Sequence, residues 1–296
     1  MLRAAFFVGV VSIVVFAITT PVRAVAASMT ATYDSSTQTY SYSYTYNNAD
    51  PTDSNIANWQ SGWGASGITG WDYVGSDNGA SAVYLGDGYV LSAGHVGAGN
   101  FILNGNTYDL VAGSAQSFGT ADLSLFKIDT TSTTDHLLTL PTLSLETTAP
   151  NIGTSVTMIG YGNSQGETWA TNTIYETGQD TKLTSPSFDS TDFYTVDNFS
   201  PDGANTTITH NGQLVPGDSG GGDFIYNSAT GEWQLAGINE VLLEDNTGKI
   251  AGSGMVQISA YATEIDAAVP EPPAWILGLL SLGLLGVMRG FRRVRA

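Results

Sequence analysis

Between its two ends the chain has no long stretch with a helical repeat, and that constrains its fold more than any other feature. Short β-branched and aromatic runs alternate with clusters of Gly, Ser, Thr, Asn and Asp. Such a pattern predicts strands joined by tight turns, an all-β chain. Tyr40, Tyr42, Tyr44 and Tyr46 alternate with Ser or Thr, the period-two mark of a strand, and share one face. This face reads as a strand packed on the domain or as a flexible N-terminal extension. An aromatic platform for glycans is its functional reading.

From Ser81 onward the strands become regular. Val83 to Leu85 turns through Gly86-Asp87-Gly88 into Tyr89-Val90-Leu91, a tight hairpin. Phe101 to Leu103 and Thr107 to Val111 flank Asn104-Gly105-Asn106, a second one. Asp122 to Ile128 is a further strand, with Leu123, Leu125 and, on one reading, Phe126 turned inward. A looser stretch from Thr130 to Thr148 links two halves. Ser155 to Ile159, Asp192 to Val196, Thr206 to His210, Phe224 to Tyr226 and Trp233 to Ile238 are strands of the second half. Val256 to Ile265 reads as a strand passing into a short terminal helix. Two groups of about six strands predict two small packed barrels.

Each end carries a hydrophobic stretch outside this fold. Arg3, an apolar run from Ala4 to Ile18 and the small residues Ala24-Val25-Ala26 read as a secretory signal peptide, cut near residue 26 or 27. At the other end Val269-Pro270-Glu271-Pro272-Pro273 precedes an apolar run from Ala274 to Met288, closed by Arg289, Arg292, Arg293 and Arg295. Fifteen residues rise about 22 Å as a helix, short for a bilayer but workable with snorkelling arginines. The expected organisation is a signal peptide over 1–27, an N-terminal extension and domain start over 28–80, the main domain over 81–268 and an anchor or sorting segment over 269–296.

Charge excludes some partners. Only Lys127, Lys182 and Lys249 are basic within 28–268, against 26 of the 27 acids, a formal charge of 3 − 26 = −23. That surface repels nucleic acid and anionic membranes, so membrane contact is expected only through the C-terminal segment. There is no cysteine. Disulfides, cysteine nucleophiles and Cys-ligated zinc are excluded, and stability must come from burial and hydrogen bonding.

Three segments carry chemistry, in this order. Val90-Leu91-Ser92-Ala93-Gly94-His95-Val96 is a hydrophobic strand ending in small residues and a histidine. Asp122-Leu123-Ser124-Leu125 opens an apolar strand with an aspartate. Pro216-Gly217-Asp218-Ser219-Gly220-Gly221-Gly222 is a glycine-rich loop around a serine. Serine at neutral pH is a poor nucleophile until a base takes its proton. Imidazole suits that task, and a carboxylate on its far nitrogen fixes the tautomer. Any one of these residues alone reads as structural; together and in this order they point to catalysis. His136 and His210 fit no such pattern and read as solvated or structural.

These segments resemble the chymotrypsin/trypsin family of serine proteases. The third matches the family's Gly-Asp-Ser-Gly-Gly motif at five positions; the first resembles its Ser/Thr-Ala-Ala-His signature, with Gly94 for the second alanine; the second resembles its Asp-Ile/Leu-Ala-Leu strand. The order His–Asp–Ser is the family's order. The resemblance implies two packed six-stranded antiparallel barrels with a short C-terminal helix, and a triad of His95, Asp122 and Ser219. It implies an oxyanion hole from the amides of Gly217 and Ser219, and Gln213 at the specificity pocket, where trypsin-type enzymes place an aspartate. Asp218 would support the nucleophile loop. In animal members that residue pairs with a new N-terminal amine after an Ile-Val-Gly-Gly cut; no such start follows a basic residue here, so other donors are expected to hold Asp218. Gly222 stands in place of the usual proline, and Asn239-Glu240-Val241 replaces the family's Ser-Trp-Gly edge.

The tail resembles the PEP-CTERM sorting signal, which implies an exosortase-type partner and delivery to a bacterial surface or extracellular polysaccharide. The expected function is an exported serine endopeptidase acting on protein or peptide without a cofactor. The rivals are a non-catalytic surface or matrix binding protein on the same scaffold and a glycan-binding β-sandwich. Asp202-Gly203-Ala204-Asn205 and Glu244-Asp245-Asn246 are oxygen-rich, but no recognised calcium loop is present, so no metal is expected.

Overall fold

The computed structural model describes residues 25–131, 139–162, 166–184, 186–196 and 212–269. The expected sorting segment from residue 270, the strand expected at Thr206 to His210, both minor histidines and the Asp202 loop lie outside these residues. Within them the chain is all-β, as the strand and turn pattern predicts.

An N-terminal hairpin pairs β1 (Ser28–Asp34) with β2 (Thr39–Thr45). β2 carries the tyrosine ladder: Tyr40, Tyr42 and Tyr44 stack with ring centroids 6.4 and 6.3 Å apart. The Tyr42 hydroxyl accepts from the Ile250 N–H at 2.9 Å, so the ladder lies on the domain rather than free of it.

Seven strands follow in one sheet: β3 (Val74–Asp77), β4 (Ala80–Gly86), β5 (Tyr89–Ser92), β6 (Phe101–Leu103), β7 (Asn106–Tyr108), β8 (Gln116–Ser117) and β9 (Ser124–Lys127). Their order is β7-β6-β3-β4-β5-β9-β8. The expected six-stranded barrel is thus a seven-stranded curled sheet. An isolated bridge from Leu110, beyond β7, to Ile128, beyond β9, draws its ends together, and β8 is a two-residue addition at the edge. Both predicted hairpins form, with Asp87 and Gly88 at φ 50° and 80° and Asn104 and Gly105 at 49° and 78°. Positive φ at both central residues matches the right-handed twist of the flanking strands.

The second half is a closed six-stranded barrel, β10-β11-β12-β15-β14-β13. Its members are β10 (Ser155–Gly162), β11 (Gly166–Thr184), β12 (Ser187–Val196), β13 (Gly222–Asn227), β14 (Glu232–Glu244) and β15 (Ile250–Gln257). A 3-10 turn at Ile258–Ala260 and the helix α1 (Ala262–Ala268) end the domain, as expected. The 19-residue β11 and its partner β12 form a long ribbon.

One apolar core joins both halves, from Val83, Leu91 and Phe126 to Ile159, Phe224, Ile238 and Val256. The segment before Ser81 belongs to it. Trp59 and Trp63 pack on Phe224 and Trp233, and Trp63 lies parallel to Trp233 at 5.4 Å. Each indole N–H finds an oxygen: Trp59 on Asp50, Trp63 on the Trp59 carbonyl, Trp233 on the Asn58 carbonyl. Buried aromatics with satisfied N–H groups supply fastening in a chain that has no cysteine for disulfides.

Several carboxyls are buried in this fold. Burial pushes Asp77 up to about 7 and Asp192 up to about 6, and raises Asp218, Asp223 and Glu167 well above the ordinary range. A raised folded pKa stabilises fully below the unfolded value, and that contribution is lost as pH rises through the folded value. The melting temperature should therefore fall as pH rises from about 4.5 to about 7.5, and Asp77→Asn should reduce the fall. Calorimetry showing a rise across this window would contradict the assignment.

Candidate active site

His95 and Asp122 leave neighbouring strands of the first sheet. β5 ends at Ser92, and the chain then turns, with the Val96 and Gly97 N–H groups bonding the Ala93 carbonyl at 3.1 and 3.2 Å. Asp122 lies just before β9, which pairs with β5 from Ser92↔Ser124 to Tyr89↔Lys127. The two residues meet twice: the His95 N–H donates to Asp122 Oδ1 at 2.6 Å, and His95 Nδ1 lies 2.5 Å from Oδ2. Asp122 is fully buried, while the His95 side chain keeps 24% of its surface open. A buried carboxylate on Nδ1 leaves Nε2 as the exposed acceptor.

The motif's departure at Gly94 has a steric reason. A Cβ there would sit 2.9 Å from Phe188 Cε1, 3.0 Å from Asp122 Oδ1 and 3.1 Å from the Leu123 nitrogen. Removing the methyl lets the aspartate close on the histidine's backbone.

Ser219 lies on the loop leading into β13 and is held against the first sheet. The Ser81 N–H donates to the Ser219 carbonyl at 2.9 Å, and the Ser92 hydroxyl donates to the Ser81 carbonyl at 2.8 Å. Gly220, at φ 86°, makes the approach possible: a Cβ would lie 2.1 Å from the Ser81 carbonyl oxygen and 2.2 Å from Ser92 Oγ. The loop thus touches the strand end that precedes His95 by three residues. No hydrogen bond joins Ser219 to His95 among the described residues; in unliganded sites such contacts are often long and tighten with substrate.

Gly217 has φ 101°, and its carbonyl accepts from the Ser81 hydroxyl at 3.2 Å. Among the described residues, neither the Gly217 nor the Ser219 N–H donates elsewhere. Asp218 is fully buried. Its carboxyl, raised by burial, is opposed by hydrogen bonds from the Val215 and Val25 N–H groups, the former at 2.8 Å.

Gln213, expected at the specificity pocket, is not among the residues that line the recess beside Ser219. It is fully buried, and its amide donates to the Leu214 carbonyl, the Gly252 carbonyl and Ser253 Oγ at 3.2, 2.9 and 2.7 Å. It ties the loop to β15. The recess beside Ser219 is lined instead by Leu214, Val215, Pro216, Val241, Leu242 and the carboxyl-bearing Glu240. Glu240 was visible in sequence only as the replacement within Asn239-Glu240-Val241. Asp245, in the second oxygen-rich loop, uses Oδ1 to accept from Thr247 and Lys249 N–H groups and the Thr247 hydroxyl, a local turn.

No family model matches the sequence, and no curated protein does. Among solved structures, the chain is similar to the Rv3671c protease from M. tuberculosis in its active form, at 14% identity and TM-score 0.46, covering 66% of this chain and 75% of that one. The inactive form of Rv3671c gives 14% identity and TM-score 0.46 over 67% and 90%. The HtrA-type protease AlgW with decapeptide gives 22% identity and TM-score 0.44 over 64% of this chain and 51% of that one, so the chain spans about half of AlgW's length.

Proposed function

We propose that this chain is an exported serine endopeptidase using His95, Asp122 and Ser219. The observation that carries the reading is the doubly bonded His95–Asp122 pair at the same edge as a glycine-rich serine loop with two undirected N–H groups. Ser219 Oγ attacks the peptide carbonyl carbon while its proton passes to His95 Nε2. Asp122 holds the ring and stabilises the imidazolium. The Gly217 and Ser219 N–H groups receive the developing oxyanion, worth about 3–4 kcal/mol per donor in such sites. The C–N bond then breaks as Nε2 returns the proton to the leaving amine. Water repeats the sequence to cleave the acyl-enzyme. No metal or cofactor enters these steps.

The full chain, expressed for export, should react covalently with a fluorophosphonate probe at Ser219. Ser219→Ala should abolish labelling, and Asp122→Asn should lower kcat/KM by about 10⁴-fold. A folded wild type that is neither labelled nor active on unfolded protein substrates would overturn the proposal.

Export processing belongs to the same reading. Val25 and Ala26 are both fully buried. Val25 lies in the apolar core of the closed barrel, and Ala26 exchanges backbone hydrogen bonds with Gln213 at 2.9 and 3.0 Å. A cut at residue 26 or 27 would discard them. We place the cut after Ala24, with Val22 and Ala24 as the small-residue site. The donors expected to hold Asp218 are then Val215 and the new terminus at Val25. N-terminal sequencing of the exported protein should read Val-Ala-Ala-Ser; a start at Ala27 or later in active enzyme would refute this. Delivery to the bacterial surface or surrounding polysaccharide by an exosortase-type enzyme acting at 269–296 completes the proposal.

The tyrosine ladder favours a second reading, in which the β1–β2 face binds polysaccharide and the scaffold acts as a matrix protein. Glycan binding by Ser219→Ala protein, with an unreactive wild type, would select it.

A further inference from the structure

We propose that Glu240 and Asp192 share one proton and together, through Ser190, position the His95–Asp122 pair. This rests on the catalytic reading above for its consequence, though not for its geometry. Glu240 is a positioning residue in this scheme.

A continuous chain of contacts runs inward from the histidine. The Asp122 N–H donates to Ser190 Oγ at 2.9 Å, and the Ser190 hydroxyl donates onward to Glu240 Oε1 at 3.0 Å. Because Ser190 Oγ accepts from Asp122, its only proton points to Glu240. Beyond it, the Glu240 and Asp192 carboxyls lie within hydrogen-bonding reach of each other. Asp192 is fully buried and Glu240 is 5% exposed. Neither Asp192 oxygen, nor Glu240 Oε2, finds a conventional donor. The nearby Thr181 hydroxyl is engaged with the Tyr194 hydroxyl at 2.7 Å. The Thr181 hydroxyl also reaches Asp192, which leaves Glu240 Oε2 to meet the Asp192 carboxyl, and two carboxyls in contact require a proton between them.

Among the described residues, nothing cationic offsets the pair. Asp122 faces it from the loop before β9, and Asp180 from β11. Tyr194 lies beside it on β12, itself facing Glu176. Lys182 is drawn out to Asp180 and Asp189 at 3.0 and 2.8 Å. Burial first, then the neighbouring carboxylates, pushes Glu240 up to about 12, while burial pushes Asp192 up to about 6. Glu240 therefore keeps its proton and donates it to ionised Asp192 near neutral pH. The pair carries one negative charge behind Asp122 above about pH 6 and none below it. That charge lies on the far side of Asp122 from the His95 ring and favours positive charge on the ring.

Two variants separate the chemistry from simple packing. Gln at 240 mimics the protonated acid: its amide can donate to Asp192 and its carbonyl can accept from Ser190. Leu keeps the volume and loses both bonds. In the full exported protein, Glu240→Leu should lose at least about tenfold more kcat/KM than Glu240→Gln, chiefly in kcat. Were Glu240 ionised, Gln would be as harmful as Leu, and that result would overturn the proposal.

A second readout needs no catalysis. In Ser219→Ala protein, the His95 ring followed by NMR should titrate at lower pH once Asp192→Asn is added. An unmoved His95 titration in a folded protein would sink the inference. If wild type proves inactive yet the His95 shift appears, the endopeptidase reading fails while the proton-sharing chain stands.

Discussion

The whole arrangement depends on one close contact between the two halves, where the Ser219 loop presses on β4 and β5. Backbone and hydroxyl groups of Ser81 and Ser92 bond across it, and Gly220 leaves no room for even a methyl. Ser81 works on both sides, since its hydroxyl also accepts the Tyr161 N–H at 2.7 Å while donating to Gly217. A residue with a side chain at 220 would separate the serine from the strand that presents the histidine. The core that joins the sheets provides cohesion, but this seam sets the register between Ser219 and His95.

Around that seam the fold accumulates acid rather than neutralising it. With three lysines in the domain, buried carboxyls have few cationic partners to choose from. Asp122 is satisfied by its histidine and by backbone. Asp218 takes the Val215 N–H on one oxygen. Asp192 and Glu240 turn to one another. Ordinarily a buried unpaired charge is avoided; here protonation stands in for the missing counter-ion. The same scarcity that gives the surface its net charge therefore dictates how the interior of the site is wired.

The strands and the triad segments were legible because their information is local. Asn104-Gly105 and Asp87-Gly88 demand positive φ, and the serine motif is contiguous. The inward set on β9 was also legible, and Phe126 proves as buried as Leu123 and Leu125. What escaped was relational. Gln213 was assigned by its spacing from Ser219, yet spacing does not set side-chain direction, and Ser253 and Gly252 capture its amide. The β11–β12 ribbon was missed over most of its length because its alternating Thr, Glu, Asp and Lys residues offer little apolar pattern. Glu240 acquires meaning only from partners on β12 and before β9. Nor does the sequence before Ser81 announce that Trp59 and Trp63 will meet Trp233.

That ribbon reaches beyond its own barrel to brace the other half. Phe188 packs under Gly94, the Asp189 N–H bonds the Thr120 carbonyl at 2.8 Å, and Ser190 caps Asp122. The histidine and aspartate of the first half are thus secured by residues synthesised some seventy positions later (Ser190 is 68 residues beyond Asp122), and the serine comes later still. A chain emerging in its N-to-C order has no assembled site until its last strands are in place. On the endopeptidase reading proposed above, hydrolytic competence becomes a readout of completed folding, and an unfinished chain stays inert toward whatever proteins surround it.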